Sequence, residues 1–311
     1  MTALVLDPLF ERHITAPGHP ESPARIRCLL DALKPLAGRC RRIEPRAASL
    51  QELALAHEPG YVECVLEAIA GGAEELAGGD VSVGRESGEI ARLAAGSVID
   101  AVRTVLEDKA ANAFCAVRPP GHHARPAAPM GFCIFNNVAI GARYALRHGG
   151  VERVAIVDWD VHHGNGTQEI FWSDGAVLFF STHQWPWYPG TGLASERGKG
   201  PGKGRIINCP LAAGAGDAEI LEAFHAKLLP ALEEFRPELL LISCGFDARR
   251  GDPLGQLRME DSGFAALTRL LMEQARRFCS GRCVSVLEGG YDLRGLSAAA
   301  SAHVTALLEN P

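Results

Sequence analysis

Five short runs of largely apolar residues constrain this chain more than any other feature: Ala113 to Val117, Val154 to Val157, Ala176 to Ser181, Leu239 to Ser243 and Cys283 to Leu287. A strand wetted on one face alternates apolar and polar residues, whereas an uninterrupted run suits a strand covered on both faces, as in a parallel sheet. Stretches with helical periodicity lie between them at Ile90 to Leu106, Asn136 to His148, Asp217 to Phe235 and Glu260 to Phe278, with Asp217 as an expected N-cap. This alternation predicts an α/β fold with a mainly parallel central sheet flanked by helices. No linker, repeat or low-complexity tract divides the 311 residues, so a single domain over 1–311 is expected.

The first third is less regular. Ala3 to Leu6 reads as a strand, and His13 to Arg25 as a loop leading into a helix through about Leu36. A second strand near Arg42 to Ile43 is only weakly written. Ser49 and Glu52 have the spacing of a capping box, and Pro59 opens a helix to Ala70. Gly71 to Gly88, polar and glycine-rich, is expected to be a rim loop.

Composition removes several classes of function. A formal charge of -6 and a pI near 6.0 provide no global attraction for nucleic acid or an anionic membrane. The one basic loop of note, Gly198 to Arg205, lacks the Gly-Lys-Ser/Thr ending of a phosphate loop and reads as solvated surface. The cysteine count is nine, none of them spaced as Cys-x-x-Cys; even Cys279 and Cys283 are one residue too far apart, so reduced thiols in a cytoplasm are expected. The start, MTALVLDPLFER, has no basic leader before an apolar segment, and no apolar run approaches membrane-spanning length.

Chemistry gathers where the apolar runs end. After Val154 to Val157, Asp158, Asp160 and His162 recur at every second position; strand alternation would aim all three to one side. The turn Gly164-Asn165-Gly166 follows. Polar residues also close the runs at Gly121 to Ala124, Gly245 to Asp247 and Gly289 to Tyr291, and parallel strands would bring these loops to one edge, where α/β sheets bind ligands. Asp160, His162 and Asp247 offer two oxygens and one nitrogen, which suits a divalent first-row ion with a position left open for water and substrate. Taken singly, each has a bland account: Asp160 caps a turn, Asp247 ends a strand, and His162 is packed. Adjacent histidines such as His122 and His123 usually do nothing chemical, yet this loop leaves a buried strand, so at least one faces the site. A neutral imidazole there can take a proton from water and deliver it to a leaving amine. Tyr291 follows two glycines that let its phenol approach a carbonyl; the alternative is a ring packed under a turn.

These residues carry a resemblance. HPESPAR (His19 to Arg25), RPPGHHA (Arg118 to Ala124), GFCIFNN (Gly131 to Asn137), VDWDVHHGNGT (Val157 to Thr167), STHQWPWYPGTG (Ser181 to Gly192), GFDA (Gly245 to Ala248) and LEGGYD (Leu287 to Asp292) stand in the order of the histone deacetylase superfamily, which the chain resembles over almost its whole length. The superfamily includes acetylpolyamine amidohydrolases and bacterial acetoin-utilisation proteins. The resemblance implies an arginase-like α/β fold, with zinc on Asp160, His162 and Asp247. It implies His123 as general base and acid, His122 paired with Asp158 as an electrostatic partner, and Tyr291 as the catalytic tyrosine. It further implies an acetate channel lined by Arg25, and a substrate slot of Gly131, Phe132, Trp187, Tyr188 and Leu254. Monovalent cations, usually potassium, would bind beside Asp158, Asp160, His162, Ser181 and Thr182, and again near Phe171, Asp174 and Val177. Asn165, where many class I enzymes have a second aspartate, and Glu288 before the glycines make the chain look closer to class II.

The expected reaction is removal of acetyl, or a longer acyl group, from the ε-amine of lysine in a protein or peptide. The alternatives are an acetylpolyamine or other small-amine deacetylase, a non-catalytic binder of acyl-lysine and a ureohydrolase with two manganese ions. The intact set of Asp160, His162, Asp247, His123 and Tyr291 speaks against the binder. GFDA has too few acids for the two-metal enzyme. Substrate and oligomeric state are left open by the sequence.

Overall fold

The computed structural model describes residues 1–76 and 78–310. Residue 77, inside the expected rim loop, and residue 311 lie outside the described residues. The strands are β1 (Thr2–Leu6), β2 (Arg41–Arg42), β3 (Asn112–Ala116), β4 (Val154–Asp158), β5 (Val177–Gln184), β6 (Ile206–Leu211), β7 (Leu239–Cys244) and β8 (Cys283–Leu287). The α-helices are α1 (Ala24–Ala37), α2 (Leu50–Leu53), α3 (Pro59–Ala70), α4 (Ser87–Leu106), α5 (Asn137–His148), α6 (Asn165–Ile170), α7 (Asp217–Ala223), α8 (Leu229–Phe235), α9 (Asp261–Phe278) and α10 (Leu293–Glu309).

All eight strands join one sheet in the order β2-β1-β3-β8-β7-β4-β5-β6, and every pairing is parallel. Every residue of β3, β4, β5, β7 and β8 is buried, as expected of strands covered on both faces. The weakly written β2 is an exposed Arg41-Arg42 edge, whose charges discourage further pairing. Helices α1, α10 and α9 pack together against the sheet, as do α3, α4 and α5. The four central strands are β3, β8, β7 and β4. Their four carboxyl-end loops therefore emerge side by side and carry His122 and His123, Tyr291, Asp247, and Asp160 with His162.

Four expectations need correction. Strand β4 stops at Asp158, so strand alternation does not align Asp160 and His162. Instead Asp158 Oδ1 accepts the Asp160 N–H at 3.1 Å and Asp160 Oδ1 accepts the His162 N–H at 2.9 Å, two successive Asx-type turns that bend the chain with the same two-residue repeat. Asp217 does not cap its own helix: Gly216 is the N-cap, and the Asp217 carboxylate accepts from Glu260 N at 3.0 Å, tying α7 to the start of α9. The expected helix to Phe235 also contains a π segment at Phe224–Leu228. The rim loop ends early, since α4 begins at Ser87. The capping box of Ser49 and Glu52 is present in both directions. Among the described residues no helix is long and apolar enough to cross a membrane, and all nine cysteines are free thiols.

Candidate active site

Asp160, His162 and Asp247 are buried, and one ligand atom from each lies within 4.8 Å of the others. His162 Nδ1 is 3.1 Å from Asp160 Oδ1 and 3.2 Å from Asp247 Oδ2. The outer oxygens are held by backbone: Gly289 N donates to Asp160 Oδ2 at 2.8 Å, and Val161 N donates to Asp247 Oδ1 at 2.8 Å. Gly245 and Gly289 leave space that a Cβ would take from these carboxylates, for a Cβ on Gly245 would strike Asp160 and one on Gly289 would strike Asp247. Burial and the neighbouring Asp160 push the Asp247 carboxyl up to about 7; burial opposes charge on His162, but Asp160 and Asp247 raise it to about 10. Two crowded carboxylates holding a proton through an imidazole are a donor set in want of a cation, and they fit a divalent ion with oxygen and nitrogen ligands.

The two histidines behave oppositely. His122 Nδ1 lies 2.9 Å from Asp158 Oδ2, and although burial works against its charge, Asp158 and Asp160 push it up to about 10. His123 Nδ1 lies 2.7 Å from Asn165 Oδ1, a neutral acceptor. Burial, then the nearby His122 and His162, hold His123 well below the usual imidazole range. With Nδ1–H donated to Asn165, the lone pair is on Nε2, the tautomer a proton acceptor needs.

Tyr291 stands across the site. Burial raises its phenol well above the ordinary range, so it is a hydroxyl donor, and among the described residues it makes no side-chain hydrogen bond. Beneath its ring lies the Arg25 guanidinium, 5.0 Å from the ring centre. Fully buried Arg25 donates to Gly290 O at 2.7 Å, Glu288 O at 2.5 Å and Glu21 Oε1 at 3.0 Å. Glu21 also accepts from Arg118, which leads into the histidine loop, so one buried carboxylate joins the arginines behind both loops.

A slot of about 330 Å³ leads down to these groups, lined by His123, His162 and Tyr291 with Gly131, Phe132, Trp187, Tyr188, Pro253, Leu254 and Asp80. All five slot residues expected from sequence are among them. Asp80, in the rim loop, was missed: its Oδ2 accepts from Gly131 N at 3.0 Å and from the Tyr188 hydroxyl at 2.7 Å, tying the two walls together. Phe132 adopts a left-handed φ of 67°, costly for a bulky side chain, and its N–H is held by Asp80 O at 3.2 Å. No local pattern marks Asp80, because its partners lie 51 and 108 residues away.

Residues 19–307 match the histone deacetylase domain family. The chain belongs to the histone deacetylase family. It is 40% identical over 300 residues to a probable deacetylase of Archaeoglobus fulgidus, covering 95% of this chain and 82% of that one. It is 42% identical over 305 residues to the human polyamine deacetylase HDAC10, covering 94% of this chain and 45% of that protein. The crystal structure of the HDA15 HD domain superposes with a TM-score of 0.94 at 39% identity, covering 99% of this chain and 88% of that one. The deacetylase members of this family are hydrolases of amides, and this chain is an enzyme of that class with the arginase-like fold. The family is zinc-dependent, and the buried Asp160, His162 and Asp247 cluster fits such an ion. Asp158 and Ser181 are register partners on β4 and β5, with Thr182 buried beside them; Asp174 is engaged by Arg143 and by Ala176 N.

Proposed function

We propose that this enzyme is a zinc-dependent deacetylase that removes acetyl, and longer acyl groups that fit, from the ε-amine of lysine in proteins or peptides. The observation that carries the reading is the meeting of His123, His162 and Tyr291 at the floor of one narrow slot. Asp160, His162 and Asp247 would hold the zinc, which when bound supplies Lewis-acid activation of water and of the acyl carbonyl. Gly131, Phe132, Trp187, Tyr188 and Leu254 bury the lysine methylenes and exclude water. His123 Nε2 takes the proton of the attacking water, then gives it to the departing amine, while Asn165 keeps the ring oriented. His122, held by Asp158, stays charged and keeps His123 neutral between turnovers. The Tyr291 hydroxyl donates to the carbonyl oxygen as negative charge develops there. Arg25, buried under Tyr291, offers the carboxylate product a cation on its way out.

The reading includes a structural potassium ion beside Asp158, Ser181 and Thr182, supported by the buried Asp158 carboxylate and Ser181 hydroxyl at one strand register with buried Thr182 next along β5, and a second near Phe171, Asp174 and Val177. It treats residues 1–311 as one catalytic domain. Free thiols throughout suit a cytoplasmic setting. A small-molecule reading has one observation in its favour: Asp80 Oδ1, beside the slot, has no hydrogen-bond partner among the described residues and would suit the second ammonium of an acetylpolyamine. Against it, Pro253 and Leu254 make the same rim apolar. The deciding assay is acetate release by zinc-loaded protein on ε-acetyl-lysine peptides and acetylated polyamines, with a chelator control. Preference for peptides is expected; faster turnover of polyamines would replace the lysine reading, and turnover that survives chelation would remove zinc from it.

A further inference from the structure

Glu288 is buried just past the end of β8, three residues before Tyr291, and its carboxylate belongs to no part of the machinery described above. Its Oε2 accepts two successive backbone N–H groups, from Gly121 at 2.7 Å and from His122 at 3.1 Å. Its Oε1 accepts from Ser243 Oγ at 3.0 Å, on β7. The carboxylate therefore spans three neighbouring strands at the level where the catalytic loops begin. The rest of its segment is equally committed: Glu288 O and Gly290 O hold Arg25, Gly289 N holds Asp160, and Tyr291 N donates to Asp252 Oδ2 at 2.7 Å.

We infer that Glu288 is a positioning residue that sets the histidine loop in register with Tyr291. The carbonyl to be attacked must lie between a base on one loop and a hydroxyl on another, and those loops leave different strands. A buried carboxylate on the tyrosine's segment, bonded to the backbone of His122 and of the residue before it, fixes the separation of the two groups. Without it, the backbone amides of Gly121 and His122 lose their acceptor inside the protein, and the loop shifts to find another. An error of about 1 Å in such a site costs on the order of a hundredfold in rate. The role is geometric, and an amide of the same shape fulfils it: Gln Oε1 accepts from both backbone N–H groups, and its Nε2 donates to Ser243 Oγ.

The inference rests on the hydrolytic reading of the site, so its test has two arms. In the first, zinc-loaded Glu288→Ala and Glu288→Gln are compared with the unaltered enzyme on whichever amide it turns over. Glu288→Ala is expected to lose kcat by roughly a hundredfold with KM within about threefold, because the slot walls are untouched, while Glu288→Gln stays within about fivefold in kcat. In the second, amide hydrogen exchange is followed at Gly121 and His122. Both should exchange at least about tenfold faster in Glu288→Ala and keep their protection in Glu288→Gln. Equal loss in the two variants would overturn the inference, since charge and not geometry would then be at stake. Unchanged exchange in Glu288→Ala would overturn it as well. If the unaltered enzyme is silent on every amide, the deacetylase reading fails, and the exchange arm alone decides the positioning role.

Discussion

Within the site, similar residues are assigned different work by their partners. His122 and His123 are adjacent, with rings 4.0 Å apart, yet one faces the Asp158 carboxylate and the other the Asn165 amide. A carboxylate partner holds the proton on His122; an amide partner orients His123 without adding negative charge, and the charge next door keeps it neutral. Among the described residues the Tyr291 hydroxyl has no hydrogen-bond partner, and its backbone and ring are held independently by Asp252 and Arg25. Removing that oxygen should therefore change chemistry and little else. Tyr291→Phe is expected to keep its melting temperature and metal content while kcat falls by roughly a hundred- to thousandfold, as for loss of one oxyanion donor. Steady-state kinetics beside metal analysis would check it, and near-normal turnover would remove Tyr291 from the mechanism.

Among the elements, the six residues from Leu287 to Asp292 do the most organising. They contribute a buried strand end, the Glu288 carboxylate, a glycine pressed against the carboxylates of Asp160 and Asp247, and the tyrosine. Gly289 has two roles that only glycine combines: its N–H supports Asp160, and its missing Cβ makes room for Asp247. Gly289→Ala should weaken zinc binding by roughly ten- to hundredfold, the usual cost of disturbing groups that orient metal ligands. Competition with a chromophoric chelator would measure this; unchanged affinity would mean that the carboxylates have room to move. The turn after β4 shows where local reading stops. The repeat of Asp158, Asp160 and His162 correctly marked a convergence, but Asx-type turns and not strand alternation produce it. Both have a period of two, so the spacing alone does not distinguish them. Asp217 is similar: its residue type suits a cap, and a tertiary partner, Glu260 N, claimed it instead.

At the scale of the whole molecule, the parallel sheet places four loops on one edge and also buries polar groups far from the chemistry. His303, on α10, is fully buried between Thr268 Oγ1 at 2.7 Å and Ser285 Oγ at 2.8 Å, packed against the rings of Phe114 and Trp159. Burial lowers it to about 3, so it stays neutral in the fold but protonates near pH 6.5 once unfolded. The unfolded chain then binds the extra proton, and stability contributed by this site is intact above about pH 6.5 and falls as pH drops towards 3, by about 1.4 kcal/mol per pH unit. His303→Asn should flatten the unfolding free energy between pH 6.5 and 5 by roughly 2 kcal/mol relative to the unaltered protein, measured by urea titration at several pH values. An unchanged slope would show that His303 does not carry this linkage.

By itself, the sequence determined which residue types stand at the ends of the buried strands, and hence the reaction class. Asp160, His162, Asp247, the His122–His123 pair and Tyr291 follow apolar runs, so local pattern singles them out as candidates, and the resemblance to the family is what assigns their roles. Strand order, the Asp80 tie across the slot, the Glu21 link between Arg25 and Arg118 and the hold of Glu288 on the histidine loop were decided by the tertiary structure alone. The physical reason is range. Glu288 and Gly121 are 167 residues apart, and Arg118 and Glu21 are 97 apart. A buried carboxylate must find donors wherever packing brings them, and nothing in the residues beside it says which loop that will be.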